Sequence, residues 1–130
     1  MAVMTRTYDE SYLPGETYSN TYFRNEHEFT LPVVALSFKE DYFYDDMIGI
    51  HVRGSNGVAG YCGDVANWYR DWERPAYFEY FDEDGVKQVS QLIGVKRAAN
   101  RCGGRDQKAM SLYARGKYGN NNFDYAFFKE

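Results

Sequence analysis

Residues 29–38 (FTLPVVALSF) form an apolar run rich in β-branched side chains, which predicts a strand. Pro32 has no amide hydrogen to give a ladder, so the start of that strand belongs at a sheet edge or a bulge. Residues 40–46 (EDYFYDD) break the run with acids and predict a turn or hairpin tip. Residues 47–52 (MIGIHV) return to alternation, with Met47, Gly49 and His51 on one side and Ile48, Ile50 and Val52 on the other, as in a strand. After the loop Arg53–Gly57 the period changes. Val58, Tyr61, Cys62, Val65, Trp68, Tyr69 and Trp72 recur at spacings of three and four and predict a helix of about 15 residues. Gly60 and Gly63 each cost such a helix about 1 kcal/mol, which asks for a packing or ligand reason, and Pro75 stops it.

Ala76–Phe81 (AYFEYF) predicts the next strand. Asp84-Gly85 suits a hairpin turn, but the pattern beyond it favours a second helix over 85–101. Val86, Val89, Leu92/Ile93 and Ala98/Ala99 give an apolar stripe. Asp84 stands at the N-cap, Lys96, Arg97 and Arg101 at the C-terminal end where the dipole favours cations, and Gly103-Gly104 at the C-cap. The chain ends in two expected strands, 108–115 and 123–128, joined by the loop 116–122. Ahead of all this, residues 1–28 read as a separate arm of one or two short strands, turned at Pro14-Gly15 and held down by Tyr8, Tyr12, Tyr18 and Tyr22. The expected fold is α+β: a single domain over 29–130 with a central, mostly antiparallel sheet carrying two helices, in the order arm, β, β, α, β, α, β, β.

Composition adds three constraints. Aromatic residues make up 18% of the 130 residues, with 13 Tyr and 9 Phe, and hydrophobic content is 44%, so a packed core is expected rather than disorder. The longest apolar run, Leu31–Leu36, is far short of the roughly 20 residues that span a bilayer, so no membrane partner is expected. Residues 1–10 show no basic stretch followed by an apolar one, and a cytoplasmic chain is the expectation. In that setting Cys62 and Cys102 are expected as reduced, half-buried residues. They and His27 and His51 have no paired spacing, so no metal is expected.

The net charge of −4 conceals a division. Residues 1–85 hold six basic and sixteen acidic side chains, a charge of −10, and residues 86–130 hold nine basic and three acidic, a charge of +6. An acidic chain disfavours nucleic acid as a direct partner, while the basic part leaves room for an anionic ligand.

A glycine-bearing loop between a strand and a helix N-terminus points several amide hydrogens at one spot and suits phosphate, with Arg53 beside it. The residues Arg53-Gly54-Ser55-Asn56-Gly57-Val58-Ala59 resemble the acyl-CoA pyrophosphate loop of the GCN5-related N-acetyltransferases (GNAT), whose pattern is Arg/Gln-x-x-Gly-x-Gly/Ala. The expected element order and the tail Phe123–Phe128 are similar to that family too, over residues 29–130. The chain departs from it in one extra loop residue, a shorter first region and no Tyr in Ala98–Arg101. The resemblance implies an acetyl-CoA-binding protein that transfers an acetyl group to an amine. The amides of Gly57, Val58, Ala59 and Gly60 with Arg53 would hold the pyrophosphate, Glu79 or His51 would act as base, and Tyr113 or Tyr118 as proton donor.

Two readings of other classes stand beside it. Asp41, Tyr42, Tyr44, Asp45 and Asp46, and then Asp82, Glu83 and Asp84, mix carboxylates with aromatic rings. That suits a non-catalytic interaction or inhibitor protein binding a basic groove of a partner protein, as a nucleic-acid mimic would. Trp68, Tyr69 and Trp72 with Asn120–Asn122 offer stacking faces and amides, as in a carbohydrate-binding module. The oligomeric state is not indicated by the sequence.

Overall fold

A computed structural model describes residues 1–8, 10, 17–24, 30–98 and 109–128. The elements are β1 (Ala2–Arg6), β2 (Thr17–Thr21), β3 (Val33–Ser37), the single-turn helix α1 (Asp41–Tyr44), β4 (Val58–Ala59), β5 (Val65–Ala66), β6 (Glu73–Phe81), β7 (Lys87–Arg97) and β8 (Met110–Tyr113). Short 3-10 turns lie at Asn67–Tyr69 and Gly116–Tyr118. The main sheet has four strands in the order β3-β6-β7-β8, every neighbour antiparallel. β1 pairs with β2, and β4 with β5, as separate two-stranded ribbons.

The expected antiparallel sheet is therefore present, and the two expected helices are not. The described residues are mostly strand with very little helix, which corrects the α+β, GNAT-like acetyltransferase architecture. The region 85–98 extends as β7, and residues 99–101, with the expected cap Gly103-Gly104, lie outside the described residues. Asp84-Gly85 makes the hairpin turn after all: Gly85 takes φ 75°, and its amide donates to the Asp82 carbonyl at 3.0 Å. The apolar residues that fit a helical stripe also alternate, with Val89, Ile93 and Val95 buried on one side of β7. The nine-residue β6 offers them a complete partner.

The expected helix over 58–72 is a β4–β5 ribbon followed by a 3-10 turn. Gly60 and Gly63 close its tip: the Gly60 amide donates to the Asp64 carbonyl at 2.7 Å, and Gly63 takes φ 80°, outside any right-handed helix. Residues 47–52 fold back on α1 rather than extending as a strand. The Ile50 amide reaches the Tyr42 carbonyl at 3.0 Å and that of His51 reaches Phe43 at 2.9 Å. A side chain at Gly49 would come within 2.5 Å of the Asp45 carbonyl oxygen, so the tight return requires glycine.

β6 sorts its residues by parity. Ala76, Phe78 and Tyr80 face the core, with Val89, Ile93 and Val95 of β7 and with Phe43 and Ile50 from the returning loop. The last segment covers the same face. Phe123, Tyr125 and Phe127 alternate inward without joining the sheet, and their rings meet Phe78 at 5.0 Å (Phe123) and Tyr80 at 5.1 Å (Tyr125) and 4.9 Å (Phe127). The expected strand at 123–128 is thus an extended segment outside the ladder. Pro75 sits in a central strand without harm because β3 pairs only as far as Tyr77, leaving no ladder beside it on that side.

The other face of β6 carries Glu73, Pro75, Tyr77, Glu79 and Phe81. The β1–β2 ribbon covers one end of it, and the turn Gly116–Tyr118 the other. The arm is held there by Thr21, the buried Ser19 and an edge-on contact of Phe23 with Phe81 at 4.8 Å. Tyr8, Tyr18 and Tyr22 are exposed, against the expectation that tyrosines anchor the arm; Tyr12 and Pro14-Gly15 lie outside the described residues.

Candidate functional site

The residues expected to act together are spread over the molecule. Glu79 is 1% exposed beneath the arm, where Lys87 lies at 3.1 Å and Thr21 donates through its hydroxyl at 2.6 Å and its amide at 3.3 Å. His51 packs on the opposite face of the sheet, its ring 4.9 Å from that of the core residue Phe43. Tyr113 on β8 lies under the guanidinium of Arg115 at 4.5 Å and the ammonium of Lys96 at 5.9 Å. Tyr118 donates to Glu73 at 2.9 Å.

The expected phosphate cradle has a different use. Arg53 lies 4.0 Å from Asp64, and its carbonyl accepts from the Asn67 amide at 2.6 Å. Gly57 leaves room for Ala66, whose Cα would stand 2.6 Å from a side chain there; Val58 and Ala59 are ribbon strand, and Gly60 lies against the Tyr69 ring. No helix N-terminus follows them.

Two tryptophans proposed as sugar platforms are occupied by cations. The Trp72 ring has the guanidinium groups of Arg70 at 5.0 Å and Arg74 at 4.7 Å over it, and Trp68 is buried with Arg97 5.4 Å from its ring. Tyr42 extends the series between Arg74 and Lys39, each at 5.9 Å. Arg74 also donates to the Ile48 carbonyl at 2.6 Å and Arg70 to Asn56 Oδ1 at 2.8 Å, so the stack fastens the 39–56 loop to β6.

The two acidic clusters stand at opposite ends of β6: Tyr42 of the first lies 5.9 Å from the Arg74 guanidinium, and Asp82 of the second follows Phe81. In the first cluster the acids build the loop. Asp41 pairs with Lys39 at 2.6 Å, Asp45 accepts the amides of Met47 and Ile48 at 2.8 and 3.0 Å, and Asp46 accepts from Ser55. Tyr44 is exposed beside His51.

In the second cluster Asp82 plays that part, accepting the amides of Asp84 and Val86 at 3.1 and 2.8 Å and the Gln88 amide group at 2.6 Å. Glu83 and Asp84 are exposed and line a groove of about 330 Å³ together with Pro32, Tyr80, Tyr125, Phe127 and Phe128. Burial first, then Tyr125 and the charges of Asp82 and Glu83, push the Tyr80 phenol above its ordinary value. Phe128 is 91% exposed at its rim. No family model, curated protein or solved structure matches this chain.

The aromatic wall of this groove was missed by sequence reasoning, although the alternation Phe123, Tyr125, Phe127 is a signal for it. Among the described residues no group of three or more His, Cys, Asp or Glu is placed to hold a metal, and no helix is long and apolar enough to cross a membrane. Cys62 is disulfide-bonded, which corrects the expectation of a reduced thiol; the other cysteine, Cys102, lies outside the described residues. Disulfides ordinarily persist in oxidising surroundings, which weighs against the cytoplasmic expectation.

Proposed function

We propose that the protein is a non-catalytic interaction module that receives a basic segment of a partner protein in the groove at the β6–β7 tip. The carrying observation is the joining of two exposed carboxylates, Glu83 and Asp84, to the rings of Tyr80, Tyr125, Phe127 and Phe128 around one concavity. A guanidinium or ammonium gains there from both charge and ring faces, and an exposed Phe128 supplies apolar area that a bare acidic patch lacks. The tip is favoured over the Asp41–Asp46 cluster because Asp45 and Asp46 of that cluster are engaged in building their own loop.

The test is fluorescence anisotropy with a labelled eight-residue Arg/Gly peptide. Glu83→Lys with Asp84→Lys should weaken binding at least about tenfold, a change of about 1.4 kcal/mol. Asp41→Lys with Asp45→Lys should weaken it much less. Equal loss from both pairs, or none from the first, refutes the assignment.

A further inference from the structure

β3 forms one edge of the main sheet, and among the described residues only β6 pairs with it. Exposed edges are ordinarily blunted by a charge, an internal proline or a bulge. Val33–Ser37 (VVALS) has no charged residue and no proline, and its register with β6 is unbroken. Apolar side chains gather along the same edge: Leu31 is 72% exposed, Val34 51% and Phe128 91%, with Pro32 and Phe128 sharing the groove wall. At the other edge of the sheet, β8, the cations Lys96 and Arg115 flank Tyr113.

We propose that β3 is a dimerisation edge, taking β3 of a second copy antiparallel about a two-fold axis at Ala35 to give one eight-stranded sheet. This goes beyond the groove's partner, because it concerns the strand edge and needs no ligand. In that register Val34 faces Leu36 of the second copy and Val33 faces Ser37, so no like charges meet. Charge complementarity favours the same arrangement. Continued outward, the register sets Lys39 of the second copy opposite Leu31. Val33 pairs with Phe81, so Leu31 lies beside the start of the acidic tip. Two strand spacings, about 10 Å, then separate Lys39 of one copy from the backbone of Asp82–Asp84 in the other, within reach of long side chains. The existing Lys39–Asp41 pair is exposed on both sides and is readily exchanged. A five-residue edge with four apolar side chains per copy is a small interface, so the dimer is weak and reversible.

Sedimentation equilibrium from about 10 µM to 1 mM is the test, a range that covers weak association. A monomer–dimer equilibrium is expected. Val34→Lys, and separately Leu31→Lys, should raise the dissociation constant at least about tenfold. Each variant should keep the wild-type melting temperature, and the groove reading is judged by the peptide affinity of the wild-type chain alone, so that failure of the dimer and failure of the groove reading are told apart. Lys39→Glu should weaken the dimer, and adding Glu83→Lys with Asp84→Lys should restore it. A monomer throughout the range, a dimer indifferent to Val34→Lys and Leu31→Lys, or a charge exchange that restores nothing overturns the proposal.

Discussion

Lys87 lies 3.1 Å from the buried carboxylate of Glu79 because β7 carries a bulge between them. Tyr80 pairs with Val89, and Phe81 with Lys87, so Gln88 is passed over. A regular strand would turn Lys87 to the same side as Val89, into the core; the extra residue sends it to the side of Phe81 and Glu79. The carboxylate then accepts from Thr21 on β2 while Lys87 donates to Asn20 at 3.0 Å, so the ion pair is one of the ties between the arm and the sheet.

Removing the cation should therefore cost more than removing the whole pair. Lys87→Met leaves a buried carboxylate uncompensated and should destabilise the protein by about 3 kcal/mol in urea unfolding. Glu79→Leu combined with Lys87→Met should lose clearly less. Thr21→Val should cost about 1–3 kcal/mol and speed amide exchange in Ala2–Arg6 and Thr17–Thr21 ahead of β6. Exchange that stays unchanged in both segments would show that Glu79 does not hold the arm.

Gly94 is required by its neighbour. A side chain there would stand 2.5 Å from Glu73 Oε1 and 2.7 Å from the Tyr118 ring. Gly94→Ala should destabilise by about 1–3 kcal/mol through overpacking. Because both changes act on one contact, Glu73→Ala should relieve part of that cost, and the double variant should be more stable than additivity predicts. Strict additivity in thermal unfolding would contradict this packing.

The same carboxylate sets a pH dependence. Burial pushes the Glu73 carboxyl up, but hydrogen bonds from Lys117 and Tyr118 and the charges of Lys117 and Arg115 outweigh it, so the net shift is below the ordinary 4.5. A carboxyl lowered by folding stabilises fully above its unfolded value and loses that contribution as pH falls through its folded one. The melting temperature of wild type should exceed that of Glu73→Gln at pH 7, and the gap should close below pH 4.5. A gap that persists or widens in acid reverses the expected sign.

Cys62 in a disulfide predicts that native protein, unfolded without reductant, shows no titratable thiol. Reduction should lower stability by about 2–4 kcal/mol. Two thiols released by unfolding alone would contradict it.

The legible parts of the fold were those with a local signal. Val33–Ser37 and Ala76–Phe81 announce themselves through β-branched and aromatic runs, and Met110–Tyr113 falls within the expected strand 108–115. The arm's strands were legible too. What failed was the choice between periods. Val86, Val89 and Ile93 fit a helical stripe, and charges of the right sign sat at each end, yet Val89, Ile93 and Val95 equally fit a strand. The deciding partner, β6, acts through pairing that no local window contains. Gly94 and Gly63 were the warnings. Of the groove, the acids Asp82–Asp84 were legible, while the wall from Tyr125 to Phe128 comes from a segment about forty residues away that only the folded chain brings near.

The central claim is that the acidic, aromatic groove is where a partner is held. Its most direct test is a ¹⁵N chemical-shift titration of the full chain with the Arg/Gly peptide. Shifts concentrated at Asp82–Asp84 and Tyr125–Phe128, abolished by Glu83→Lys with Asp84→Lys, are the predicted result. Shifts centred on Asp41–Asp46, or none at millimolar peptide, would contradict it.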